Sequence, residues 1–226
     1  MMSRTAGNDT GATQSARGER AHATRELILT AAERLFAEHG VFSVSNRQVS
    51  EAAGQGNNTA VGYHFGTKAD LVRAIARKHS APIEEKRQRM LAEIGDSTDI
   101  RDWIGALVRP VAEHLAEVGS PTWFARFGAQ VMTDPTFREI MVDESLSSPS
   151  LVRIIEGLRD CLDLPAEVRA ERSDMARQLL VHVFAERERA LAEGTATPRA
   201  SWHDAATGLI DGLVGMWLAP VSEERS

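Results

Sequence analysis

The stretch Gly54-Gln-Gly-Asn-Asn-Thr-Ala-Val-Gly-Tyr-His-Phe-Gly-Thr-Lys68 constrains this chain more than any other. It is too rich in glycine and polar residues for a core helix, yet apolar residues at helical spacing resume on both sides of it. Gly54 can take the left-handed conformation that closes a preceding helix. Between Asn57 and Phe65, Ala60, Val61 and Phe65 can face inward while Asn57, Asn58, Thr59 and Tyr63 point out. Gly66 and Thr67 break the chain again, and Thr67 can cap a helix opening at Lys68. A helix, a tight turn and a short helix with a polar outer face are the parts of a helix-turn-helix, whose second helix fits the DNA major groove.

The flanks agree. From Thr24 to His39, Ile28, Ala31, Ala32, Leu35 and Phe36 recur at three- and four-residue spacing, and Gly40 is the stop signal. Ser45, with Gln48 three residues on, forms a capping box for a helix from Asn46 to Ala53, whose narrow apolar face is Val49, Ala52 and Ala53. The helix opening at Lys68 buries Leu71, Val72, Ile75 and Ala76 and continues past His79, with Pro82 a point for a kink. Residues 1–21 are polar and lack an apolar leader core, which predicts a disordered tail.

The run Thr24 to Ala76 resembles the DNA-binding domain of the TetR/AcrR family of bacterial repressors. The resemblance rests on Ile28-x-x-Ala-Ala-x-x-Leu-Phe36, Gly40, Gln48-Val-Ser-x-Ala-Ala-Gly54, Tyr63-His-Phe-Gly-Thr-Lys68 and Leu71. The Asn57-Asn-x-Ala-Val-x-Tyr-His-Phe form is similar to a family branch with one extra residue between the turn glycine and Tyr-His-Phe. The match covers roughly the first third of the chain; beyond it only length and helical periodicity agree with the family.

It implies an all-α protein: a disordered tail over 1–21, a three-helix DNA-binding head over 22–67, and a long fourth helix leading into a ligand-binding and dimerisation body over 68–226. In the head, Asn57, Asn58 and Thr59 stand where side chains meet base edges, asparagine being suited to adenine. Gly62 would let the helix sit close to the groove floor. Ser45, Arg47, Tyr63, His64 and Lys68 occupy the positions that contact phosphate, and Arg25 can add one. Read alone, an Asn-Asn pair is turn chemistry, and Tyr63-His64-Phe65 is a core aromatic cluster.

Charge is distributed to match. The net charge is −6, but residues 1–80 hold ten Lys/Arg against seven Asp/Glu, so the acidic balance lies in the body. A basic head on an acidic body is expected where only one end meets phosphate. A single cysteine, Cys161, excludes an internal disulfide framework and fits a cytoplasmic protein. No run approaches the ~20 apolar residues of a membrane span.

From Asp99 on, every segment has helical periodicity and none alternates as a strand would. Pro110 marks a kink, or a join between two helices, in the run Ile100 to Val118. Glu167 to Glu193 reads as one long helix with Met175, Leu179, Val183 and Phe184 inward, and Ser201 caps the last helix.

A head of this size needs a second copy to hold DNA, which predicts a homodimer on an inverted-repeat operator. The interface expected from the last two helices comprises Leu179, Val183, Leu209, Gly212, Leu213, Met216 and Trp217; some of these must also serve the core. Trp103, Leu107, His114, Trp123, Phe124, Phe127, Met132, Met141 and His182 can line a pocket for a small, largely apolar effector, or be ordinary core. Arg109 and Arg126 are further polar anchors. A DNA-binding dimer without a small-molecule effector stays open as an alternative. Catalysis is not expected: Cys161 has no histidine near it in sequence, there is no HExxH, and Ser147-Ser-Pro-Ser150 lacks the glycine frame of a nucleophile elbow. The chain calls for no cofactor and no metal.

Overall fold

The computed structural model describes residues 9–57 and 59–222. Among them the regular elements are all α-helices: α1 (Asp9–His39), α2 (Asn46–Ala52), α3 (Ala60–Phe65), α4 (Lys68–Ile94), α5 (Ile100–Val118), α6 (Phe124–Met132), α7 (Pro135–Leu146), α8 (Pro149–Cys161), α9 (Ala166–Glu193) and α10 (Trp202–Leu218). The all-α expectation holds. Local chemistry sets the boundaries that matter. Ser45 and Thr67 each close a capping box, with Gln48 and Asp70 as partners. Gly54 and Gly66 take positive φ values of 69° and 84° at the two breaks, a conformation costly for any residue with a Cβ.

Two hydrophobic cores hold the helices. The first gathers Ile28, Phe36, Val61, Phe65, Leu71 and Ile75 of α1, α3 and α4 together with Phe127, Val131, Phe137 and Ile140 of α6 and α7. The second lies among α5, α8, α9 and α10, around Trp103, Ile104, Leu115, Ile154, Phe184 and Leu213. Phe124 packs against both. The division expected at residues 67 and 68 thus falls at a helix cap, while the core runs across it. Phe36 and Phe127, stacked with centroids 6.4 Å apart, are its plainest crossing.

Four expectations change. Where a disordered tail was expected through residue 21, α1 already begins at Asp9; Ala16, Arg17, Glu19, Arg20 and Ala21 are good helix formers that extend a helix anchored further along by Ile28 and Phe36. Residues 1–8 lie outside the described residues. The short helix starts at Ala60 rather than Asn57, because the Asn57 carboxamide oxygen accepts from the Thr59 N–H (3.0 Å) and hydroxyl (2.7 Å) and builds a turn ahead of it. α5 runs unbroken through Pro110, so no join exists there. α9 is rotated: Met175, Leu179 and Val183 face outward at 50%, 42% and 38% exposure, while Ala176, Phe184, Ala185 and Glu188 are buried.

Two stripes compete on α9, and side-chain pairing decides between them. Glu188 accepts from the Ala125 and Arg126 N–H groups and from Arg126 Nε, and so caps α6, which has no side-chain cap of its own. Arg172 donates to the carbonyls of Trp217 (2.6 Å) and Ala219 (2.7 Å) at the end of α10. With both charges satisfied, the stripe holding Phe184 and two alanines packs inward.

Candidate nucleic-acid interface

Residues buried from inside aim the outer face of the head. Val49 of α2 and Ala60, Val61 and Phe65 of α3 are buried against α1 and α4. On so short a helix this leaves Gly62 and Tyr63 facing out, with Tyr63 82% exposed. Asn57 and Thr59 are exposed just before α3, and Ser45 and Arg47 are exposed at the start of α2. No atom lies within 4 Å of a Cβ built on Gly62, so the helix surface is open there. Asn58 lies outside the described residues.

Three expected phosphate contacts are tied up inside the head. Arg25 donates to the His64 carbonyl (2.8 Å), and its guanidinium sits 4.1 Å from the Phe65 ring centroid, bracing α1 against α3. Lys68 donates to the carbonyls of Val41 (2.9 Å) and Val44 (2.6 Å), which locks the turn between α1 and α2, and burial lowers its pKa. The Ser45 hydroxyl is engaged in its capping box. Arg47 remains at the surface, paired with Glu51 at 2.8 Å, and that hydrogen bond raises its pKa. An exposed i,i+4 pair of this kind is weak enough to exchange for phosphate. His64 is half-buried, its ring edge against Tyr63.

The aromatic set expected to line one pocket is divided between the cores. Trp103, 1% exposed, donates its indole N–H to the Ser97 carbonyl (2.8 Å) and belongs to the second core, with Leu107 packed against it. Phe127 is fully buried in the first core, with Trp123 and Met141 against it. Met132 Sδ faces Arg177, and His182 is exposed. Arg126 is held by Glu188, and Arg109 meets His203 at 3.5 Å. A cleft does exist, between the α5–α6 connection and α9, lined by Pro121, Thr122, Glu188, Leu191, Ala192 and Trp202. Cys161 is half-buried beside the Ser97 carbonyl, and burial pushes its thiol up.

The expected dimer surface is also redrawn. Leu209 (8%), Leu213 (0%) and Trp217 (3%) are core of the same chain, because α10 packs its most apolar side on α5. Met216 is half-buried, and Gly212 and Gly215 are exposed. Exposed apolar surface remains on α9, where Met175, Leu179 and Val183 form a stripe.

Sequence reasoning missed one constellation. His79 Nδ1 lies 2.8 Å from His114 Nε2, and His79 Nε2 lies 3.0 Å from Glu33 Oε2. All three side chains are buried, and Lys78 reaches the same Glu33 oxygen at 3.2 Å. Phe124 stacks on His79 with centroids 4.0 Å apart. The signal was in the sequence: Glu33 continues the buried Leu29–Ala37 stripe of α1, and His79 sits midway between Ile75 and Ile83 on α4. A polar residue on an apolar stripe needs a partner.

Fold and site together define an all-helical protein with an N-terminal helix-turn-helix whose outer face is polar and open. Residues 28–75 match the family described as bacterial regulatory proteins, tetR family. Over 142 residues, covering 62% of this chain and 67% of the relative, the sequence is 30% identical to the HTH-type transcriptional repressor AcnR of Corynebacterium glutamicum. Its counterpart from Corynebacterium efficiens is 29% identical over the same length. The chain belongs to the tetR family of bacterial regulatory proteins. The crystal structure of NalD, the secondary repressor of the MexAB-OprM multidrug efflux pump in Pseudomonas aeruginosa, superposes with a TM-score of 0.54 at 23% identity, covering 86% of this chain and 95% of that one; it shares the fold. Among the described residues no helix is long and apolar enough to cross a membrane.

Proposed function

We propose that the protein is a homodimeric transcriptional repressor that binds an inverted-repeat DNA operator and leaves it when a small, largely apolar effector binds the body. One observation carries the reading: Tyr63, 82% exposed, projects from a short helix whose opposite side is pinned into the core, with Arg47 exposed on the preceding helix. A packing unit has no use for that arrangement. Asn57, Asn58, Thr59 and Gly62 form the base-reading edge, and Tyr63, His64 and Arg47 the phosphate contacts. Arg25 and Lys68 hold the head's shape, and Lys68 keeps one free N–H for phosphate.

Purified full-length protein, selected against fragmented genomic DNA and then footprinted, should protect a short inverted repeat. Absence of a protected repeat, or binding indifferent to salt, sinks the reading, since phosphate contacts release counterions. Tyr63→Ala should weaken operator and random DNA alike by about tenfold per head, the worth of one hydrogen bond to a charged group. Arg47→Ala should reduce the salt slope by about one unit per head.

Dimerisation is supported by the Met175–Leu179–Val183 stripe, since three exposed apolar residues one turn apart suit burial against a second copy. Val183→Arg should yield folded monomers, read as a lower sedimentation coefficient with unchanged helical circular dichroism; dimers of unchanged affinity would remove α9 from the interface. For the effector, the cleft at Pro121, Leu191 and Trp202 offers apolar walls, and Thr122 supplies a buried hydroxyl with no hydrogen-bond partner. The effector must favour the conformation that does not hold DNA, and operator affinity falls by that difference.

A further inference from the structure

Two of the three side chains in the Glu33–His79–His114 chain sit on α1 and α5, so a single line of hydrogen bonds runs from the helix that braces α3 to the centre of the body. Proton counting shows how firm it is. A Glu33 carboxylate only accepts, so His79 Nε2 must donate to it. With His79 neutral, its Nδ1 accepts from His114 Nε2–H; with His79 charged, Nδ1–H donates to a neutral His114. The bond at 2.8 Å survives either way and fails only when both rings are charged and two N–H groups face each other. The charged groups around it are Glu33 on α1, Lys78 and Lys86 on α4, and Glu117 on α5. α6 contributes only the Phe124 face, its Arg126 being held by Glu188. Apolar packing alone would let the head slide on the body, whereas directional bonds between buried groups select one register.

We propose that His79 and His114 are positioning residues for operator binding, which touch no DNA but fix the head on the body and so the separation of the two heads in a dimer. This rests on the dimeric operator reading above. An inverted repeat demands a fixed separation, while a half-site needs one correctly folded head. Loss of the chain must therefore cut the preference for the full repeat and spare half-site binding.

The test measures full-length protein on a full inverted repeat and on its half-site. His114→Phe should reduce the full-site preference by about tenfold, and His114→Gln, which keeps a donor, should hold it within about threefold. A parent-like preference in His114→Phe overturns the inference, and so does an equal loss on both DNAs, which marks a merely structural role. A parent with no preference for the repeat sinks the underlying reading instead. Should His114→Phe fail to fold, histidine side-chain ¹⁵N spectra of the parent at pH 7 decide: one exchange-protected imidazole N–H shared by His79 and His114, lost in His114→Gln, is expected, and freely exchanging imidazoles on both residues overturn the proposal.

Discussion

Gly157→Ala destabilises the body by about 2–4 kcal/mol, although alanine is the better helix former by about 1 kcal/mol. A Cβ on Gly157 would lie 2.3–2.4 Å from three atoms of the Trp103 ring, far inside contact distance. The ring cannot withdraw. Its N–H is bound to the Ser97 carbonyl, the Arg153 guanidinium sits 4.9 Å from its centroid, and Ile104 and Ile154 fill the same core. The clash must then separate α5 from α8 or break the indole hydrogen bond. Urea unfolding measures the loss. Two further variants check the cause. Gly128→Ala on α6, where no atom lies within 4 Å of the added carbon, should be neutral or gain up to about 1 kcal/mol. Trp103→Leu in the Gly157→Ala background should recover part of the loss. An unchanged midpoint for Gly157→Ala alone would mean that α8 does not pack on Trp103.

The head was legible because its signals are local. Ser45 with Gln48 and Thr67 with Asp70 cap from within four residues, and the positive φ of Gly54 and Gly66 is a property of single residues. The outward direction of Tyr63 follows from burying Ala60, Val61 and Phe65 on a six-residue helix. What was not legible depends on distant partners. Arg25 and Lys68 look like free surface cations until the carbonyls of His64, Val41 and Val44 are brought to them from 24 to 39 residues away. On α9 the two apolar stripes are equally good in sequence, and only Arg126 and the end of α10 select the one facing inward. Aromatic residues gathered in sequence did not gather in space: Trp103 and Phe127 went to different cores, since an apolar side chain carries no address beyond its own helix face.

Unfolding stability should fall by about 3 kcal/mol between pH 6.5 and pH 4, and His114 should carry most of that loss. Burial first, then the neighbouring His79 and Lys86, lower its pKa from 6.5 to about 4, against the smaller pull of Glu117 and Glu33. In the unfolded chain the same imidazole takes its proton near pH 6.5. Between the two values the unfolded state binds more protons than the folded one, so acid favours unfolding; above pH 6.5 neither form is charged and the full stability is present. Glu33 acts in a lower window. Burial alone would raise its carboxyl, but hydrogen bonding and charge from His79 and Lys78 outweigh that and hold it below 4.5. Its contribution is present above about pH 4.5 and lost below it, which steepens the acid limb without touching the near-neutral one. His114→Phe separates the two: its urea midpoint should stay flatter from pH 6.5 to 4.5 and then fall with the carboxylates. A parent and variant with parallel slopes across that upper window would mean that folded His114 takes up its proton as readily as the unfolded chain does, so that burial does not hold it neutral.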